Sequence, residues 1–144
     1  DAIVDAAVDV FAPCALGGVI NDATIDRLKV GIIAGSANNQ LAEPRHGQAL
    51  ADRGVVYAPD YVINAGGIIQ IASELTGGPG SEPMAGRVGR IGEVLERIFR
   101  RSEEADLPTH LIADRIAEER LAAGRQRREE VVVPARKPAP AAVG

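Results

Sequence analysis

Three short apolar runs constrain this chain more than any other feature: "VDVFAP" (Val8 to Pro13), "VGIIAG" (Val30 to Gly35) and "GVVYAP" (Gly54 to Pro59), each closing on a small residue or a proline. Rich in β-branched and aromatic residues, each reads as a buried strand. Between the first two lies "NDATIDRLK", where Asn21 or Asp22 can cap a short helix and Ile25 with Leu28 give it an apolar stripe. Between the second and third, "LAEPRHGQALADRG" is helical in spacing around Leu41, Ala49 and Leu50, with Gly54 as its stop. Strands alternating with helices over such short links predict an α/β fold built on a parallel sheet with right-handed crossovers.

Beyond the third run, Tyr61, Val62 and Ile63 continue the β-branched and aromatic character after a Pro59-Asp60 punctuation. They suit a further short strand, which places "NAGG" (Asn64 to Gly67) at a strand-to-helix junction. In a parallel sheet that junction lies at the carboxyl edge, where helix N-termini turn free N–H groups outward. Ile68, Ile69, Ile71, Ala72 and Leu75 then form a helix apolar around much of its circumference, which we expect to be buried. "TGGPGSEP" is a loop by its Gly and Pro content. Val88, Ile91, Val94, Leu95 and Ile98 repeat at helical spacing, as do Leu111, Ile112, Ile116 and Leu121 behind a start at Leu107-Pro108-Thr109. "EERLAAGRQRREE" is a solvated helix end, and the Ala/Pro-rich tail from residue 129 is expected to be disordered. No internal repeat is visible.

Composition narrows the function classes. The chain has 144 residues, 46% of them hydrophobic, enough for one domain with a real core. A net charge of −4 offers no footprint for nucleic acid or an anionic membrane surface. Its apolar runs are broken well short of the roughly 20 residues that span a bilayer, and no basic-then-apolar signal opens it, so it reads as cytoplasmic. The lone Cys14 excludes an internal disulfide and a multi-cysteine metal site, and we expect no metal. The chain opens at Asp1, already on the run-in to a strand, and we expect it to be a fragment of something longer.

Three segments fall at predicted strand ends: "APCALGG" (Ala12 to Gly18), "AGSANNQ" (Ala34 to Gln40) and "NAGG". All would line one edge of the sheet. Their small residues let a ligand approach the backbone, and Ser36, Asn38, Asn39 and Asn64 supply neutral donors and acceptors suited to ribose hydroxyls or a carboxamide. His46 has no acid beside it in sequence, which favours a helix-surface or supporting role over proton shuttling, and His110 carries a weaker signal still. Asp114, Glu118 and Glu119 with Arg115 and Arg120 are spaced as helix-surface ion pairs, worth little each.

"DVFAPCALGGVINDATI", "AGSANNQLAEPRHGQALADRGVVYAPDYVINAGG" and "ADRIAEER" together resemble the nucleotide-binding, C-terminal half of the leucine, valine, phenylalanine and glutamate dehydrogenase family, closest to the leucine and valine members. The resemblance runs from about Val8 to about Arg125, with the three segments in the family's order and spacing. It implies a partial Rossmann-like NAD-binding domain over residues 1–75, with its first strands missing. A C-terminal helical segment of the same unit then covers residues 84–128. Ala12, Pro13, Cys14 and Ala15 are then expected to line the dinucleotide, with Cys14 lining and not attacking. Ser36, Ala37, Asn38 and Asn39 would border the nicotinamide ribose. Asn64 would lie between the nicotinamide and the bound amino acid, and Val94 would form a wall of the substrate pocket. Ser73 stands where relatives often carry an acid, and "TGGPGSEP" is looser than the corresponding loop of most relatives, both of which bear on pocket shape.

The resemblance implies the reversible, NAD-dependent oxidative deamination of an apolar, branched-chain L-amino acid to its 2-oxo acid and ammonia, by a full-length homo-oligomer. It places no catalytic residue in this chain: the Gly-rich pyrophosphate turn, the acidic residue after the second strand and the catalytic Lys and Asp belong upstream. Lys29, expected in a helix, and Lys137, in the tail, are no substitutes. On these grounds the isolated chain is expected to be inactive. The alternative is a truncated, non-catalytic chain that serves only as a structural or oligomer-packing module.

Overall fold

In the computed structural model, residues 3–75 and 83–131 are described, with side chains to residue 126. Residues 132–144 of the expected tail and most of "TGGPGSEP" lie outside these residues, while residues 129–131, expected to be disordered, are helical. Two compact units divide the chain between Ala113 and Asp114. The first holds strands β1 (Val10–Phe11), β2 (Ile32–Ile33) and β3 (Val56–Tyr57), and helices α1 (Arg45–Asp52), α2 (Asp60–Ile63), α3 (Gly66–Leu75) and α4 (Met84–Ala105). Helix α5 (Thr109–Val131) starts in the first unit, and its remainder is the described part of the second.

The three apolar runs are the three strands, parallel, in the order β1-β2-β3. Val10, Ile32 and Val56 stand in register, as do Phe11, Ile33 and Tyr57. Side chains alternate across a strand, and the two rows have different fates. Phe11, Ile33 and Tyr57 are buried with Ile20, Ile25, Leu28 and Leu50 in the core. Val10, Ile32 and Val56 keep 42–48% of their surface. Parallel sheets are ordinarily covered on both faces, and in this unit one face carries an exposed apolar row.

Between β1 and β2, the expected helix shrinks to a single 3-10 turn, Ile25–Arg27. Asn21 organises it: Oδ1 accepts the Ala23 N–H at 2.9 Å, and Nδ2 donates to the Gly18 carbonyl at 2.7 Å. Asp22 does not cap it but reaches helix α1. The Arg53 guanidinium closes the turn's far end by donating to the Leu28 carbonyl at 2.8 Å and to that of Ile25. Lys29 lies past the turn, in a parallel bridge with Ala7, and not in a helix.

Two further expectations are corrected. Tyr61, Val62 and Ile63 form the short helix α2, not a strand. Pro59 presets the entry, the Val62 and Ile63 N–H groups both bond its carbonyl at 2.9 and 3.1 Å, and Asp60 places a carboxylate in the first turn. Local β propensity loses to this tertiary arrangement. Helix α3 is not buried: Ile68, Ile71 and Leu75 are 63%, 52% and 82% exposed, and Ser73 is its one buried residue. Its apolar face packs in part on α4 and is otherwise open.

Candidate functional site at the carboxyl edge of the sheet

The first two predicted edge segments leave the carboxyl ends of β1 and β2, the third follows helix α2 beyond β3, and backbone bonds tie the first two together. The Ala37 N–H donates to the Pro13 carbonyl at 2.9 Å, and Gly18 N–H to the Asn39 carbonyl at 2.7 Å. Glycine is required at both crossings: a Cβ on Gly17 would stand 2.7 Å from the Asn38 carbonyl oxygen, and one on Gly35 would overlap the Pro13 backbone. Asn39 takes the left-handed conformation (φ 53°), which Asn tolerates better than most residues.

Pro13 and Ala37 are buried, while Ala12, Cys14, Ala15, Ser36, Asn38 and Asn39 face solvent along the edge. The Ser36 hydroxyl and backbone both hydrogen-bond the exposed Cys14 sulfur, which holds the thiol below its ordinary pKa. Asn64, half-buried, donates from Nδ2 to Asn38 Oδ1 at 2.6 Å and to the Ser36 carbonyl at 3.4 Å. Cys14, Ser36, Asn38 and Asn64 thus converge from three connections of the sheet. Asn64 stands at the C-cap of α2, one helix later than the strand-to-helix junction expected for it. A Cβ on Gly66 or Gly67 would meet nothing within 4 Å and neither has a positive φ, so the local fold requires neither glycine. Val94 lies half-buried on α4, a helix packed against α2 and α3.

Two residues without an expected role support this edge. Gln40 is fully buried: its Nε2 donates to the Gly35 carbonyl at 2.7 Å and the Ala37 carbonyl at 3.0 Å, and its backbone N–H donates to Asp60 Oδ2 at 2.7 Å. The Tyr57 hydroxyl donates to the same Asp60 oxygen at 3.0 Å. Burial, reinforced by the neighbouring Asp60 charge, pushes the Tyr57 phenol well above its ordinary pKa and keeps it a donor. Gln40 closes the segment "AGSANNQ", but its partners lie three to twenty residues away and nothing local marks it.

Of the two roles expected for His46, the supporting one fits and the helix-surface one does not: it is 2% exposed and has an acid partner distant in sequence. Nδ1 accepts the Glu43 N–H at 3.0 Å, so the proton sits on Nε2, 3.1 Å from Asp22 Oδ1, while Arg45 donates to Asp22 Oδ2 at 2.6 Å. This group pins α1 to the turn after residue 20 and contains none of the edge residues. His110 is buried, its ring packed over Gly47 so closely that a Cβ there would overlap it.

A cleft of about 410 Å³ opens elsewhere in the same unit, between α1, β3 and the end of α4, lined among others by Asp52, Tyr57, Glu103, Asp106 and Thr109. None of the predicted site residues lines it. Volume and chemistry therefore separate, and the polar convergence favours the sheet edge. Among the described residues no cluster of His, Cys, Asp or Glu could hold a metal, and no helix is long and apolar enough to cross a membrane.

Known proteins resemble this chain in sequence and fold. Residues 1–82 match the Glutamate/Leucine/Phenylalanine/Valine dehydrogenase family. Leucine dehydrogenase of Thermoactinomyces intermedius is 52% identical over 121 residues, covering 84% of this chain and 33% of that protein. Valine dehydrogenase of Streptomyces albus is 49% identical over 121 residues, with 84% and 33% covered. The crystal structure of L-tryptophan dehydrogenase from Nostoc punctiforme superposes with a TM-score of 0.79 at 43% identity, covering 85% of this chain and 37% of that one. The chain spans about a third of the length of the curated relatives it matches. With more than half its residues inside the family match, the chain belongs to the glutamate, leucine, phenylalanine and valine dehydrogenase family.

Proposed function

We propose that the chain is the C-terminal, nucleotide-binding part of an L-amino-acid dehydrogenase, a partial Rossmann-like domain that contributes one wall of the active cleft. The observation that carries this reading is the convergence of Ser36, Asn38 and Asn64 beside Cys14 at the carboxyl edge of a parallel sheet, where α/β folds place their ligands. The edge fits the nicotinamide end of NAD. Ala12, Pro13, Cys14 and Ala15 offer a low profile, the Gly17 and Gly35 crossings keep the backbone flat, buried Ala37 anchors the second segment to Pro13, and Ser36, Asn38, Asn39 and Asn64 offer donors and acceptors. When bound, NAD supplies the acceptor for the substrate's α-hydride.

The reaction assigned is the reversible oxidative deamination of an apolar, branched-chain L-amino acid to its 2-oxo acid and ammonia. Asn64 orients the substrate against the cofactor from one side, Val94 contributes an apolar wall, and the proton-handling Lys and Asp come from polypeptide outside this chain. The exposed row Val10, Ile32 and Val56 supports that division, since it is a sheet face prepared for further polypeptide. The same row also favours a second reading, a non-catalytic module that packs within an oligomer.

The test joins the chain to the N-terminal polypeptide encoded with it and follows NADH formation with Leu, Val, Phe and Glu. Turnover fastest with Leu or Val is expected, and none with any of the four removes the assignment. The 144 residues alone are expected to bind NAD poorly and to catalyse nothing.

A further inference from the structure

We propose that Gln40 and Asp60 are positioning residues that set the spacing between the Ser36–Asn39 loop and Asn64. The inference rests on the dehydrogenase reading of that edge, which it deepens. The loop touches helix α2 at both ends. At the helix start, Asp60 Oδ2 accepts the Gln40 N–H at 2.7 Å; at its end, Asn64 Nδ2 reaches Asn38 Oδ1 at 2.6 Å and the Ser36 carbonyl at 3.4 Å. The helix itself ties the two contacts together, because the Asn64 N–H donates to the Asp60 carbonyl at 3.0 Å.

The first contact is built to be rigid. Asp60 is 7% exposed and takes two donors on one oxygen, the Gln40 N–H and the Tyr57 hydroxyl from the neighbouring strand end. Bonds to an ionised acceptor in a dry setting are the stronger kind. Gln40 then gathers the loop around itself, with Nε2 donating to the Gly35 and Ala37 carbonyls at 2.7 and 3.0 Å. Its Oε1 is buried with no hydrogen-bond partner, a cost that an apolar side chain of equal length would avoid. An amide kept despite an orphaned acceptor points to the two donors as its purpose. They fix the carbonyls of Gly35 and Ala37, on either side of Ser36, and so the ledge on which Asn64 rests.

Three variants isolate the device. Gln40→Met keeps side-chain length and removes the donors, Asp60→Asn removes the charge, and Tyr57→Phe removes one donor to Asp60. Gln48→Met is the control, since it deletes an exposed side-chain bond of the same kind, to Asp52 at 2.8 Å. In the ¹⁵N-labelled 144-residue chain, the first two are expected to move the Asn64 side-chain amide resonances towards their solvent positions and to speed their hydrogen exchange about tenfold. Tyr57→Phe should shift them less in the same direction, and Gln48→Met not at all. In the full-length dehydrogenase, Gln40→Met is expected to lower kcat about ten- to a hundredfold while KM for the amino acid changes little, the signature of a misplaced rather than a missing group.

Asn64 signals unchanged in Gln40→Met and Asp60→Asn overturn the proposal, as does an altered signal accompanied by normal kcat. Should Gln40→Met fail to fold, Tyr57→Phe decides on the same resonances. A full-length wild type without turnover would instead overturn the dehydrogenase reading, and the amide measurement would still decide whether Gln40 and Asp60 set the Asn64 contact.

Discussion

Asn64 donates its side-chain amide to Asn38 Oδ1 across 2.6 Å, joining the end of α2 to the loop after β2 over twenty-six residues of sequence. With the other Nδ2 proton directed at the Ser36 carbonyl at 3.4 Å, Oδ1 of Asn64 is left for other partners. Asn64→Ala in the full-length enzyme is expected to lower kcat/KM roughly ten- to a thousandfold, the scale of removing one polar group from a dry site, with stability changed by about 1 to 2 kcal/mol at most. If Asn64 served folding alone, the opposite pattern would appear: a lowered melting temperature with nearly normal turnover. Asn64→Ser retains a short polar side chain without the amide and should behave like the alanine variant in turnover. Normal activity in it would remove Asn64 from the site.

Cys14 and Ser36 give the edge a chemical reporter. Hydrogen bonds from Ser36 favour the thiolate of an exposed cysteine, so its ionised fraction at neutral pH exceeds that of an ordinary thiol. Iodoacetamide should therefore modify Cys14 faster than a free cysteine at pH 7, and Ser36→Ala should slow it. In the full-length enzyme, saturating NAD should protect Cys14. Modification at an undiminished rate with NAD bound would place the cofactor elsewhere.

The acid limb of stability should depend on Asp22. Hydrogen bonds from Arg45, then from His46, hold its carboxyl at about 2, below its ordinary 3.8. A depressed carboxylate pKa contributes stability that is present above the unfolded value and lost as pH falls through the folded one. The contribution thus fades between about pH 4 and pH 2. Asp22→Asn should lower the melting temperature at pH 6 and flatten its fall over that window. A wild-type and variant difference that does not narrow towards pH 2 would show that the carboxylate's charge is not what anchors α1.

The strands at Val10, Ile32 and Val56 are legible in the sequence because a run of β-branched residues between turn signals admits few other conformations. For Asn64 the sequence indicates the correct edge but the wrong element. Its helix forms because Asp60 finds Gln40 and Tyr57, and the first of these partners is twenty residues away. His46 escapes a local reading for the same reason, since its acid lies twenty-four residues upstream. The periodicity of α3 predicts a helix, yet spacing alone cannot tell a buried apolar face from one such as Ile68 and Leu75 present, open to solvent.

Gly35 and Gly66 differ in what an added side chain would meet. A Cβ on Gly35 would fall onto the backbone of Pro13, which the Ala37 N–H holds through its carbonyl at 2.9 Å, so no side-chain rotation can relieve it. Gly35→Ala should destabilise the chain by about 2 kcal/mol or more, as overpacking does when backbone must move. Gly66 is the first residue of α3 and a Cβ there meets nothing within 4 Å. Alanine at a helical glycine of compatible conformation ordinarily adds stability, by roughly 0.4 to 1 kcal/mol. If the open space beside Gly66 is reserved for substrate or cofactor next to Asn64, Gly66→Ala should raise the melting temperature by a few degrees while lowering turnover in the full-length enzyme. A variant both more stable and fully active would leave Gly66 outside the site and confine the contact to Asn64 and the Ser36–Asn39 loop.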